Sequence, residues 1–177
     1  MVDTAPYTVI HKYEDIEIRE YPALIVATVT GPGGDSEFGH LFNYITGNNK
    51  ANHKIAMTAP VITSERVAMT APVISDRESM SFVMPQKYTM ETIPEPLDRR
   101  VRIQRLPGRK VAVVRFKGYT REKTVEEETE LLLCEIKKAG LATEGEPFLM
   151  RYNSPFTPGF MRRNEVGIQI SDPGKEK

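Results

Sequence analysis

The chain has 177 residues, 40% hydrophobic and 27% charged, the make-up expected of one globular domain. Its 24 Lys and Arg balance 24 Asp and Glu, which removes the electrostatic case for a nucleic-acid partner or an anionic membrane surface. The lone cysteine, Cys134, excludes an intrachain disulfide and any cysteine-built metal site. No apolar run approaches the roughly 20 residues needed to cross a bilayer. Met1–Pro6 lacks the basic and apolar regions of a signal peptide, so a cytoplasmic location is expected. Residues 1–177 read as a single domain, with a core over about 7–170 and a polar tail over 171–177.

Alternating or β-rich segments predict strands over Thr8–Tyr13, Ile16–Tyr21 and Leu24–Thr30. A helix follows from about Ser36 to Gly47. Phe38, Leu41, Phe42 and Ile45 fall at i, i+3, i+4 and i+7 and form one apolar stripe. Asp35 or Ser36 suits its start and Gly47 its end. Lys54–Ile62 then recurs as Arg66–Ile74, twelve residues later, each copy containing Ala-Met-Thr-Ala-Pro-Val-Ile. Each copy alternates and reads as a strand, and the pair as adjacent strands. The proline, which has no N–H, calls for a strand end, an edge or a bulge. Further strands are expected over Ser79–Met84, Val101–Arg105, Val111–Phe116, Phe148–Tyr152 and Val166–Ile170, with a Pro-rich loop over Pro85–Pro96. A second helix is predicted from about Arg121 to Ala139, with Val125, Thr129, Leu132, Leu133 and Ile136 on its apolar side.

A fainter repeat spans the chain. Ile16–Pro22 resembles Val101–Pro107 at an offset of 85 residues, and Val26-Ala27 matches Val111-Ala112 at the same offset. Each copy reads strand, Pro turn, strand, Gly (Gly31 or Gly118), helix. Two such halves predict a pseudo-symmetric α+β fold with two helices. Ligand sites favour the concave junctions of such halves.

Phe42-Asn-Tyr-Ile-Thr-Gly47, followed by Lys54–Val61, resembles the core signature of the SOUL haem-binding family. So do Met80–Pro85, Pro107–Val113, Tyr152–Pro155 and Arg162–Val166, in the family's order. The resemblance covers about Tyr7 to Ile170. It implies a distorted antiparallel β-barrel carrying two helices, built from a duplicated strand-strand-helix-strand unit. It also implies non-enzymatic binding of haem or a related tetrapyrrole, for buffering, carriage or sensing. The implied site is a hydrophobic cleft around Phe38, Leu41, Phe42 and Ile45. The loop Pro155–Arg163, with Phe156, Phe160, Arg162 and Arg163, closes over it. Some family members carry a histidine, proposed as an axial ligand, where this chain has Glu20. The alternative is a small-molecule effector binder or hydrolase using the same cleft, with Glu20 as acid or base.

The remaining candidates are weaker. His40 lies opposite the first helix stripe, His53 in an Asn-rich loop and His11 in a strand. None has a partner at metal-ligand spacing, so no metal site is expected. Met57 and Met69 alternate as core residues of their strands, although a thioether can ligate haem iron. The forked guanidinium of Arg162 or Arg163 suits a haem carboxylate. An ion pair with Glu165 or a solvated turn is the competing role. Ten basic residues and one acid lie between Arg99 and Lys123, but without aromatic interleaving they read as solvated strand faces. No catalytic motif is present.

Overall fold

The structure, a computed structural model, describes residues 3–32, 34–51, 64–154 and 156–171. Its first half runs Asp3–Thr4 (β1), Thr8–Lys12 (β2), Ile16–Tyr21 (β3), Leu24–Thr30 (β4), Asp35–Thr46 (α1), Asn49–Lys50 (β5), Thr70–Ser75 (β6) and Ser79–Val83 (β7). Its second half runs Glu95–Pro96 (β8), Arg102–Leu106 (β9), Arg109–Lys117 (β10), Glu122–Lys138 (α2), Thr143–Arg151 (β11), a 3-10 turn Gly159–Met161, and Arg163–Ile170 (β12). The main sheet has the order β2-β3-β10-β12-β11-β6-β7-β4-β9, and β1 adds in parallel to β6. β5, just after α1, pairs separately with β8, at the end of the expected Pro-rich loop.

The barrel expectation needs correction, because the path of hydrogen-bonded strands is open, ending at β2 and β9. Packing still curls the sheet around a shared interior. Tyr21 of β3, Leu24 and Val26 of β4, Val111 and Val113 of β10 and Phe148 and Met150 of β11 belong to one buried cluster. Strand alternation sends the intervening residues the other way. Ile16, Ile18, Ala112, Val114 and Phe116 pack with Leu132 and Ile136 under α2. Ala27, Val29, Met80 and Phe82 pack with Leu41, Tyr44 and Ile45 under α1. The unbroken apolar run Val111–Val114 is thus explained by burial on both faces of β10.

The two chain halves interlock. β3 pairs with β10 and β4 with β9, all antiparallel. Tyr21 faces Arg109, and Leu24 faces Leu106. The sequence offset of 85 residues carries the first of these pairs onto the second. Gly31 and Gly118 have φ of 151° and 105°, which a residue with a Cβ rarely adopts.

Several local expectations differ in detail. α1 starts at Asp35 with Gly34 at its cap, and the Gly34 N–H donates to Glu37 at 2.8 Å. Phe42 falls off the buried stripe and Tyr44 takes its place, donating its hydroxyl to the Pro94 carbonyl at 2.6 Å. Leu133 is exposed on α2, whereas Leu132 and Ile136 are buried. The first Met-Thr-Ala-Pro copy, with His53 and Met57, lies outside the described residues. The second copy enters β6 at Thr70. Its Pro72 falls where the register against β7 shifts, between Thr70 and Val73, as a residue without an N–H requires.

Candidate functional site

α1 packs its inner face on β4 and β7. Leu41 and Ile45 are fully committed to that core. Phe38 is half-buried and meets Phe82 edge-on at 5.3 Å. Phe42 stands outside, 44% exposed, and stacks on Phe38 with centroids 6.0 Å apart. Two of the four expected helix residues therefore form an aromatic step reachable from solvent, and two are core.

The expected closing loop follows β11 and packs its 3-10 turn against β10. Arg151 ends β11, and the Asp35 carboxylate in the first turn of α1 acts on its guanidinium, whose pKa burial lowers. The chain then carries Phe156, 95% exposed, and Phe160, 77% exposed, into solvent. Met161 is also exposed. Arg162 donates Nε to the Thr157 carbonyl at 2.8 Å and lies over the Tyr119 ring. Arg163 donates to Glu165 at 2.8 Å and to the Tyr7 hydroxyl at 3.2 Å, and stacks on Tyr152. Its guanidinium is thus held by the ion pair that competes with a ligand role.

That ion pair belongs to a network the sequence does not announce. Arg19, 1% exposed, donates two hydrogen bonds of 2.8 Å to the carboxylate of Glu165, 0% exposed, across 146 residues of chain. Arg115 also reaches Glu165, at 3.3 Å. Arg19 further donates to Glu17 and to the Tyr21 hydroxyl and stacks on Tyr7. Burial alone would raise the Glu165 carboxyl. The hydrogen bonds and charge of Arg19, then of Arg163, outweigh it and bring the pKa down to about 2. Such a carboxylate is an ionised anchor, not an acid or base near neutral pH. No local pattern on β3 or β12 marks it, because its two central partners lie 146 residues apart.

The two described histidines are engaged elsewhere. His40 is half-buried and pairs with Asp98 at 3.0 Å, and His11 is exposed on β2 against Tyr13. Met69 is half-buried against the α1 cluster. Among the described residues no three His, Cys, Asp or Glu side chains come together as a metal site. Glu20 is exposed and lines a different cleft, at the end of β3, away from α1.

The model of the SOUL heme-binding protein family matches residues 2–169. The chain belongs to this family. No curated protein matches its sequence. The fold is similar to that of a hydrolase from Listeria innocua, at 13% identity and a TM-score of 0.56, covering 92% of this chain and 94% of that one. It is also similar to the EcmrR C-terminal domain, at 9% identity and a TM-score of 0.52, covering 94% and 98%. At these identities the likeness concerns the fold. Among the described residues of this SOUL-family chain, no helix is long and apolar enough to cross a membrane.

Proposed function

We propose that the chain binds haem or a related tetrapyrrole against the outer face of α1, with the 156–163 loop folding over the ring. The observation that carries this reading is the set of aromatic side chains left in water there. Phe42, Phe156 and Phe160 are large, exposed and unneeded by the core, in a chain of a haem-binding family. A contiguous exposed apolar patch marks a binding site, and folding of the 156–163 loop onto α1 would bring these three rings into one. The residues fit the macrocycle rather than the iron. Phe38 and Phe42 offer a flat apolar step, whereas His40 is held by Asp98. Arg162 stands at the rim, on Tyr119, as the residue to meet a ring carboxylate. The same reading treats the halves as two copies of one strand-strand-helix unit. The matched glycines and the interlocked registers support it.

A haemin titration followed at the Soret band tests the site. The parent protein should give a saturable one-to-one shift. Phe42→Ala should weaken it about tenfold, the loss of about 1.4 kcal/mol of apolar contact. Glu20→His, which adds an imidazole at the rim of the other cleft, should leave the band where it is. An unchanged affinity in Phe42→Ala, or a sharpened band in Glu20→His, would remove the ligand from α1.

A further inference from the structure

A cleft of about 1050 Å³ opens where β3 ends and β10 begins. Its lining includes Tyr7, Tyr21, Arg109, Leu141 and Ile170, and no residue of α1 or of the 156–163 loop. Arg109 is half-buried, with its guanidinium over the Phe148 ring at 4.6 Å. Arg19, Arg115 and Arg163 all reach Glu165. Arg109 makes no ion pair or hydrogen bond with any described residue. A guanidinium drawn out of water without a counter-charge costs free energy, which an aromatic face only partly offsets. Burial accordingly holds its pKa below the ordinary value.

The surroundings narrow the missing partner. Lys110 and Glu20 face each other across β10 and β3, and both line the cleft, so their charges offset. Glu144, also in the lining, accepts from Gln169. The lining carries two cations and two acids, so a polyanion would be repelled, whereas a single carboxylate can meet the Arg109 fork, which no described side chain bonds. Tyr7 and Tyr21 pack with centroids 5.4 Å apart, and Arg19 bonds the Tyr21 hydroxyl and underlies the Tyr7 ring. The aromatic wall is therefore fixed by the buried ion-pair network. We propose that this cleft binds a small molecule bearing one carboxylate on a flat apolar body. The carboxylate sits on Arg109 and the body lies against Tyr7 and Tyr21. This site is independent of the tetrapyrrole reading, since it uses none of the same residues.

Benzoate serves as the probe and benzamide as its uncharged counterpart, with NMR of the tyrosine and arginine side-chain signals as the readout. Benzoate should shift Tyr7, Tyr21 and Arg109 saturably, and benzamide should not. Arg109→Gln should weaken benzoate binding about tenfold or more. Arg109→Lys, which keeps the charge but not the fork, should fall between. Arg105→Gln, on the exposed side of β9, should bind like the parent. Equal binding of benzamide, undiminished binding in Arg109→Gln, or no saturable shift in the parent would each overturn the proposal. Were Arg109→Gln not to fold, Arg109→Lys carries the comparison, and parent-like binding there with saturable benzamide binding overturns it equally.

Discussion

Glu165→Gln is expected to cost about 3 kcal/mol of folding stability, the scale of breaking a buried ion pair by removing one partner. The substitution keeps the side-chain volume, so lost packing is not the cause. It leaves Arg19, 1% exposed, with the half-buried Glu17 carboxylate at 3.0 Å as its one acidic partner among the described residues, and removes the charge that Arg163 and Arg115 share. Urea unfolding should show the loss as a lower midpoint at an unchanged slope. The same experiment across pH tests the electrostatic origin. The folded Glu165 pKa, about 2, lies below an unfolded value of about 4.3. Between these values the unfolded chain binds more protons, so stability rises with pH there. The contribution is fully present above the unfolded pKa and is lost as pH falls through the folded one. The gap between parent and Glu165→Gln should therefore be constant from about pH 7 to about pH 5 and close towards about pH 2. A gap independent of pH would assign the loss to packing. The paired variant Arg19→Met with Glu165→Leu should recover most of it, because apolar groups need no counter-charge.

Asn49→Ala should cost about 3 kcal/mol, from backbone groups left without partners. Asn49 is buried just beyond the C-terminal end of α1. Its Nδ2 donates to the carbonyls of Tyr44 and Glu65, at 2.6 and 2.8 Å, and its Oδ1 accepts from the Glu65 N–H at 2.9 Å. One side chain thus ties the last turn of the helix to the segment that leads into β6. The Val67 N–H adds a bond to the Ile45 carbonyl, and the Tyr88 hydroxyl donates to Glu65. Asn49→Asp keeps the acceptor and removes both donors, so it should lose a comparable amount. Hydrogen exchange should locate the damage, with faster exchange at Val67 and in the last turn of α1 while the α2 side keeps its protection. Uniform loss across both helices would show instead that Asn49 holds the whole fold.

The elements were legible because each has a strong local period. β3, β4 and α1 fall within a residue or two of their expected limits, and so do β10 and α2. The apolar stripe of α1 is wider in sequence than in the fold, since apolar type alone cannot tell Phe42 from Tyr44. A tyrosine with a carbonyl to bond is as good a core residue as a phenylalanine. The candidate site suffered from the same ambiguity. Leu41 and Ile45 share the face of Phe38, but only the sheet beneath decides which of them a ligand could touch. Arg163 had two plausible partners in sequence, and the position of Glu165 on β12 gives it the carboxylate.

By itself, the sequence determined the α+β class, the two amphipathic helices, the matching strand-Pro-strand-Gly runs and the family. All are set by period, turn chemistry and motif over short stretches of chain. Tertiary structure alone decided that the sheet stays open, and that Arg19 meets Glu165 across 146 residues. It also decided that Arg109 lines a cleft with no ion pair among the described residues. Such pairings are matters of distance between strands that are neighbours in space and remote in sequence. Their cost or benefit depends on burial, which no local pattern of residues encodes.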